Sequence, residues 1–302
     1  MSDVTNTFLE NAEELDINKM LAEGVITHEM LEMLSNNKGS EEENEEYYAR
    51  TGQPQLTKAS TLYTNSPLVS YTCISPNKNT PRNHAIDTIT IHEVWGECTM
   101  AVLGSIFKPV SRQASSNYGC CEDGVALFVP EGSRAWTSGS AENDNRAVTI
   151  EVSNSRTYPN AVNDKVYQRL IKLCADICKR NGKTKMVWCG SLGKTNARSF
   201  AKNEMRMTLH KWFQSTGCPG TWLEQHMQDI ADKVNKELQK EEKSVFKDIE
   251  KTDKNYEKYK AIYDLGIMKA DAKGNFNAKK KVTRGALAII LYRALKKLKV
   301  IS

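Results

Sequence analysis

Strand-like and helix-like segments alternate between residues 56 and 232, which restricts this part of the chain to a small set of folds. The stretches DTITIHEVW and NRAVTIEVSN are runs of apolar and β-branched residues, as is typical of buried strands. The stretch ALFVPEGSRAW indicates a further strand that leads into a turn. DKVYQRLIKLCADICKRNG has helical periodicity and ends at Asn181-Gly182, a favourable helix C-terminus. Strands mixed with helices predict an α/β fold class.

The segments on either side of this region differ from it in charge. Residues 1–50 contain 13 Asp and Glu against 3 Lys and Arg, whereas residues 243–302 contain 16 Lys and Arg against 6 Asp and Glu. Both segments have short helical patterns. The composition predicts four parts: an acidic helical accessory segment with its linker (1–55), a central α/β domain (56–232), a charged helical linker (233–246) and a small helical module (247–302).

The cysteines and the absence of a signal sequence indicate the compartment in which the chain is made. Eight cysteines in 302 residues without a secretory signal are expected to be mostly reduced thiols. Cys174 and Cys178 lie four positions apart, on one face of the predicted helix, and are expected in the core. No stretch approaches the roughly 18 apolar residues of a membrane span. We expect synthesis in the cytoplasm without a signal peptide.

A histidine and a cysteine in TLHKWFQSTGCPG indicate chemistry. Cys218 follows His210 by eight positions, and Pro219-Gly220 would hold the thiol in a turn. Two donors of this kind suit zinc, although a buried cysteine near a half-exposed histidine is the plain structural alternative. His92 in ITIHEV is a third donor, and Glu151 in VTIEVSN is an acidic residue inside an apolar strand. A buried carboxylate is costly unless it is paired, hydrogen bonded or catalytic, although Glu151 could also face solvent.

The sequence resembles the zinc-dependent N-acetylmuramoyl-L-alanine amidases of type 2, which share the peptidoglycan-recognition-protein fold. The resemblance rests on four residues in this order: His92, Glu151, His210 and Cys218. The resemblance covers about residues 57–230 and implies a mixed central β-sheet flanked by helices, to which the flanking segments add small all-α units. The matching stretches are ITIHEV, RQASSNYGCCEDGVALFVPE, RAWTSGSAENDNRAVTIEVSN and TLHKWFQSTGCPG.

The resemblance implies a role for each of these residues. His92, His210 and Cys218 would bind one Zn²⁺ per chain, and Glu151 would be catalytic. Thr216 occupies a position where relatives use Lys, Arg or Thr to polarise the substrate or an intermediate. The implied reaction is hydrolysis, by zinc-activated water, of the amide between N-acetylmuramic acid and the L-alanine of the peptidoglycan stem peptide.

Further residues near the motifs are open to two interpretations. Several relatives have a catalytic tyrosine where this chain has Ser116, and Tyr118 falls where relatives have a core aromatic residue. The implied chemistry therefore depends more heavily on Glu151. Four residues either contact the sugar or stem peptide or are structural: Arg112, Asn117, Trp136 and Asn145.

The resemblance also implies a biological setting. Many phage endolysins and bacterial autolysins carry such a domain, and a chain without a signal peptide would reach the cell wall after holin-type release or lysis. The alternative is a non-catalytic peptidoglycan-binding protein on the same fold. Members that only bind typically lack the cysteine ligand, so Cys218 favours an enzyme.

The C-terminal stretch resembles a single S-layer-homology-like module, through LGIM, GNFNAKKKVTRG and the apolar helix that follows. Thr283 is the expected N-cap of this helix. Such modules bind anionic secondary cell-wall polymers, which agrees with the basic charge. The usual acidic residue after Thr-Arg is absent, since Gly285-Ala286 follow, and a helical cap or dimerisation unit is the alternative. Nucleic-acid binding is not predicted, because the basic residues lack interleaved aromatic residues.

Overall fold

The computed structural model describes residues 17–35, 63–240 and 244–297. The chain forms two compact units, Met1–Gln239 and Lys240–Ser302. The four parts predicted from composition remain a proposal for the domain organisation.

The first unit contains nine strands and seven α-helices within its described residues. The strands are β1 (Tyr71–Thr72), β2 (Lys78–Asn79), β3 (Thr88–Glu93), β4 (Tyr118–Cys120), β5 (Val125–Leu127), β6 (Arg134–Ala135), β7 (Ala147–Val152), β8 (Lys185–Val187) and β9 (Glu204–Leu209). The helices are α1 (Ile17–Ala22), α2 (His28–Ser35), α3 (Met100–Phe107), α4 (Ala141–Arg146), α5 (Asp164–Arg180), α6 (Leu192–Ala197) and α7 (Gly220–Gln239).

Seven of the strands form one sheet, in the order β1-β5-β4-β7-β3-β9-β8. Neighbouring strands are parallel except β4 and β5, which are antiparallel. A separate antiparallel pair joins β2 to β6. The mixed sheet with flanking helices confirms the predicted α/β class. The strand predicted in ALFVPEGSRAW is β5, which ends at Leu127 before a turn, and the short strand β6 follows at the end of this stretch in a separate sheet.

The two faces of the sheet differ in chemistry because side chains alternate along each strand. Ile89 and Ile91 of β3 belong to a core cluster with residues of α5 and α7, which also includes Cys174 and Cys178. Thr90 and His92 alternate with these isoleucines and therefore face the other way. Across β3 and β9, the Thr90 and Thr208 hydroxyl oxygens lie 2.8 Å apart, and the Asn143 side chain of α4 hydrogen bonds to both.

The two long helices follow from their end signals and their apolar faces. The Asn163 side chain caps α5 by accepting the N–H of Val166, and α5 ends at Asn181 with Gly182 at φ +65°. This confirms the C-terminus predicted for this helix. Helix α7 continues without a break to Gln239, past residue 232, where composition predicts the end of the central α/β domain.

The hairpin of α1 and α2 is an integral part of the first unit. Met20, Ile26, Met30 and Leu34 are at most 5% exposed and pack in one cluster with residues of α3 and β5. The Arg156 guanidinium donates hydrogen bonds to the carbonyls of Gly24 and Val25, which close the hairpin. The predicted accessory segment is therefore helical where it is described, and its apolar side chains are part of the core.

The second unit contains α8 (Tyr256–Asp264) and α9 (Arg284–Lys297). The Asp248 carboxylate accepts the backbone N–H groups of Phe276 and Asn277, both at 2.7 Å, and so ties the start of the unit to its central turn. Thr283 Oγ1 accepts the N–H of Ala286, which confirms the predicted N-cap. Helix α9 has no buried residue. The small core consists of Phe246, Ile249, Tyr256 and Phe276.

All eight cysteines are free thiols, as expected. Within the described ranges, no helix combines the length and apolarity needed to cross a bilayer.

Replacing Met30 with alanine tests whether the hairpin contributes to the core. Met30 is 0% exposed, so Met30→Ala should lower the free energy of unfolding by about 2–5 kcal/mol, measured by urea denaturation. His28→Ala, on the exposed side of the same helix, should change it by less than about 0.5 kcal/mol. Equal small effects of both substitutions would show that the hairpin packs too loosely to stabilise the unit.

Candidate metal centre

Parallel strand pairing brings three distant parts of the sequence to one edge of the sheet. His92 and Glu151 are direct neighbours in the register of β3 with β7, each one residue before the end of its strand. His210 follows Leu209, the last residue of β9, which pairs with Ile91 of β3. Because the carboxyl ends of parallel strands lie at the same edge, these side chains converge there.

His92, His210 and Cys218 form a compact cluster at this edge. Their ligand atoms all lie within 4.8 Å of one another, and each residue is 1% exposed. His92 Nδ1 and Cys218 Sγ are 3.5 Å apart, and the two imidazole centroids are 4.9 Å apart. Two imidazoles and one thiol form a donor set that suits a tetrahedral metal site with one open position.

The two histidines are held in the neutral form that a metal ligand requires. Burial, followed by the neighbouring His210, lowers the pKa of His92 well below its usual value, and burial also lowers the pKa of His210. His210 Nε2 lies 3.0 Å from Gln214 Oε1. Because a carbonyl oxygen only accepts, Nε2 carries the proton and Nδ1 keeps its lone pair. Gln214 thus orients this ring as outer-shell partners of metal-binding histidines do.

The surroundings of the Cys218 thiol disfavour its ionised form. Burial, followed by the Glu151 carboxylate, raises its pKa well above the usual value, and a hydrogen bond from the backbone N–H of Glu93 acts in the opposite direction. A bound cation would offset the effects of burial and of the Glu151 carboxylate, and would stabilise the thiolate.

Glu151 is the carboxylate beside this cluster. It is 1% exposed, and burial, followed by the Glu93 carboxylate, raises its pKa well above the usual value. Its Oε2 atom and the His92 Nε2 atom are buried without a hydrogen-bond partner within the described residues. Buried polar atoms of this kind are rare in folded proteins and indicate a missing ion or ligand. The donors and their electrostatics therefore fit a bound divalent metal.

A second carboxylate, Glu93, connects the cluster to its surroundings, and the sequence did not reveal it. Glu93 is 1% exposed and its Oε2 accepts a hydrogen bond of 2.7 Å from Asn154, whose Oδ1 accepts the N–H of Gly96. The carboxylate lies against Gly220, where an added Cβ would be 2.1 Å from Oε2. The argument used for Glu151, an acidic residue in an apolar strand, applies equally to Glu93 and would have found it.

Thr216 lies in the loop that carries the cysteine. Its hydroxyl accepts the N–H of Cys218 at 3.2 Å, so it helps to shape the loop next to the candidate ligand. Tyr118 is fully buried and donates to Glu131 at 2.7 Å, in a core position. Ser116 is also buried and donates to the carbonyls of Tyr118 and Thr149.

The four predicted substrate contacts make hydrogen bonds within the protein. The Asn117 amide bonds to the carbonyl of Val129 and to Thr149, and Asn145 Oδ1 accepts the N–H of Asn83. The remaining two are also engaged: the Trp136 indole donates to Asn79, and the Arg112 guanidinium donates to the carbonyl of Leu31. These bonds favour the structural interpretation, and contact with a substrate stays a prediction.

Residues 82–221 match the family model described as N-acetylmuramoyl-L-alanine amidase, and residues 245–288 match that of the S-layer homology domain. The chain therefore carries a domain of this amidase family followed by an S-layer homology domain. The first matched range contains His92, Glu151, His210 and Cys218. No curated protein matches the chain.

Three solved structures illustrate what this chain is similar to. PlyL has a TM-score of 0.38 at 11% identity, with 55% of this chain and 96% of that chain covered. The PlyG catalytic domain, solved in solution, has a TM-score of 0.34 at 12% identity, and the match covers 54% of this chain and 86% of that chain. The Staphylococcus aureus hydrolase AmiA in complex with its ligand has a TM-score of 0.39 at 16% identity, and the match covers 66% of this chain and 91% of that chain.

Replacing Gly220 with alanine tests the contact between Glu93 and the start of α7. Gly220 has φ +81°, and a methyl group there would displace the Glu93 carboxylate. Since outer-shell changes typically cost about 10–100-fold in metal affinity, Gly220→Ala should weaken Co²⁺ binding by that order, measured by absorption titration. Gly182→Ala is the matched control, with φ +65° and nothing within 4 Å of the added carbon. Its Co²⁺ affinity should equal that of the wild type, and equal affinities of all three proteins would contradict the contact.

Proposed function

We propose that the first unit is a peptidoglycan hydrolase that cleaves the amide bond between N-acetylmuramic acid and L-alanine. The observation that carries this proposal is the buried cluster of His92, His210 and Cys218 with the Glu151 carboxylate beside it, whose Oε2 atom has no hydrogen-bond partner among the described residues. The cluster lies within a domain of the N-acetylmuramoyl-L-alanine amidase family. The proposal extends to action at the bacterial cell wall, as an endolysin or autolysin.

His92, His210 and Cys218 would hold one zinc ion per chain. Two neutral imidazoles and a thiolate satisfy zinc's preference for nitrogen and sulfur donors and leave one position open. When bound, zinc supplies a Lewis acid that lowers the pKa of water to about 7 and polarises carbonyl groups.

Glu151 would act as the general base and then the general acid. Its carboxylate would accept the proton of the attacking water and deliver it to the nitrogen of the leaving L-alanine. Burial and the neighbouring Glu93 carboxylate raise the pKa of Glu151, which makes this carboxylate a stronger base than an exposed glutamate. Thr216 would assist by stabilising negative charge that develops on the lactyl carbonyl oxygen.

The competing function is non-catalytic binding of peptidoglycan on the same fold. A binding protein has no need of three buried metal donors or of a buried carboxylate directly next to them. The complete donor set therefore favours hydrolysis.

Digestion of purified Gram-positive peptidoglycan tests the proposal. Mass spectrometry should find new free L-alanine amino termini on the released stem peptides, and a chelator should abolish them. New reducing sugar ends would instead identify a glycosidase. Tight wall binding without any cleavage would assign the protein to the binding class.

Glu151→Gln separates the role of the carboxylate from metal binding in the same assay. This variant should keep the metal content of the wild type, measured by elemental analysis, and lose at least about 100-fold in turnover, the usual contribution of a general base. Cys218→Ser and His210→Ala should lose both metal and activity. Full activity of Glu151→Gln would remove its assigned role.

We further propose that the S-layer homology domain binds an anionic secondary cell-wall polymer. It lies in a segment with 16 Lys and Arg against 6 Asp and Glu, which favours polyanionic partners. Lys279, Lys280 and Lys281 are exposed next to the start of α9 and add a local run of positive charge.

Charge reversal of this run tests the binding. Changing Lys279, Lys280 and Lys281 together to Glu should reduce retention on polymer-bearing walls, because repulsion replaces attraction, but not on walls stripped of the polymer. The control reverses Lys165, Lys172 and Lys194, three exposed lysines of the first unit, and carries the same net charge. Equal retention of both variants on polymer-bearing walls would contradict the proposal, and so would binding of DNA in place of the polymer.

A further inference from the structure

A large cavity lies at the end of the sheet opposite to the metal centre. Its volume is about 750 Å³, within the range of small-molecule sites, and Asp87, Arg146, Lys183 and Arg206 form part of its wall. Asp87 precedes β3 by one residue and His92 lies five residues further on, so the two ends are ~16 Å apart at about 3.3 Å per residue. The metal centre and this cavity therefore cannot hold the same chemical group.

Two guanidinium groups share one carboxylate in this cavity. Arg146 Nε donates to Asp87 Oδ1 at 3.1 Å, and an Arg206 terminal nitrogen donates to Asp87 Oδ2 at 3.2 Å. The other acidic side chains of the wall have their own cations: Glu131 pairs with Arg180, and Glu204 pairs with Arg198. One positive charge of the guanidinium pair thus lacks a counter-charge.

Lys183 adds a further buried cation to the same group. It is 9% exposed, its ammonium donates to the backbone carbonyl of Lys202 at 2.8 Å, and it forms no ion pair within the described residues. Burial lowers its pKa, Asp87 acts against this, and Arg206 and Arg146 lower it further, which places all four groups in one electrostatic cluster. Three cations therefore face one carboxylate, an excess of two positive charges.

The same cluster has hydrogen-bond donors to spare. Among the described residues, the Arg206 Nε–H is buried without a hydrogen-bond partner, and the three donors of the Lys183 ammonium have one acceptor within hydrogen-bond distance. Buried charges and buried donors both carry a free-energy cost that an anionic acceptor would remove.

We propose that this cavity binds the phosphate group of a small organic phosphate. A phosphate monoester carries about −1.5 to −2 charges at neutral pH and three acceptor oxygens, which match both the excess charge and the unused donors. A carboxylate would balance only one of the two charges. The cavity exceeds a bare phosphate ion in size, so it has room for an organic part as well.

Calorimetric titration of the full chain with inorganic phosphate, glycerol 3-phosphate and acetate tests the site. Both phosphates should bind, acetate should bind at least tenfold more weakly, and a tighter Kd for glycerol 3-phosphate would identify the ester as the ligand class. Lys183→Met should raise the Kd for phosphate at least tenfold, whereas Lys194→Met, which removes an exposed lysine, should not change it. Absence of phosphate binding, or acetate bound as tightly as phosphate, would overturn the proposal.

Thermal unfolding provides a second measurement that does not depend on the wall-degrading activity. At the same phosphate concentration, the rise in Tm should be larger for the wild type than for Lys183→Met, since stabilisation by a ligand increases with the ratio of its concentration to Kd. In phosphate-free buffer Lys183→Met should be at least as stable as the wild type, because the substitution removes an unbalanced buried charge. Arg206→Gln is a second variant, expected to weaken phosphate binding, if Lys183→Met does not fold. A phosphate-dependent rise in Tm that is the same in all these proteins would contradict the site.

Discussion

The parallel register of β3 with β7 and β9 is the constraint on which the candidate metal centre depends. It places His92 directly beside Glu151 and brings His210 to the same edge, although these residues are separated by 59 positions or more along the chain. The apolar face of the same strands packs on α5 and α7 and holds the register, because a slip by one residue would turn His92 into the core. The packing of one face thus determines the chemistry of the other.

Buried polar groups near the metal centre are held by a short series of contacts. Asn154 links the loop after β3, at Gly96, to the Glu93 carboxylate, and Glu93 in turn lies against Gly220 at the start of α7. The backbone N–H of Glu93 also hydrogen bonds to the Cys218 thiol. A glycine is required at position 220 for two separate reasons, its φ of +81° and the lack of space for a Cβ. The cysteine loop and the histidine strand are therefore positioned together.

The two ends of the central strands have opposite electrostatic character. At the carboxyl ends, a thiol and two carboxylates are buried near neutral imidazoles, which favours a cation. At the amino ends, Arg146, Lys183 and Arg206 surround Asp87, which favours an anion. Among the described residues, each end has a buried polar atom without a hydrogen-bond partner, Glu151 Oε2 at one end and Arg206 Nε at the other, and a bound ligand of opposite charge would stabilise the folded protein. One sheet therefore separates two kinds of candidate site by the length of a strand.

The sequence by itself determined the α/β class, the main strands and helices with several of their ends, and the identities of the four residues that meet at one edge. These depend on local properties: side-chain periodicity, capping residues and the resemblance of short motifs. Tertiary structure decided that the α1–α2 hairpin belongs to the core, that Glu93 joins the metal centre, and that Asn117 and Asn145 bond within the protein. It also decided that three cations, Arg146, Lys183 and Arg206, lie near the single carboxylate of Asp87 at the amino ends of the central strands. Such features arise from contacts between residues far apart in the chain, and no local pattern records which buried group lies beside which.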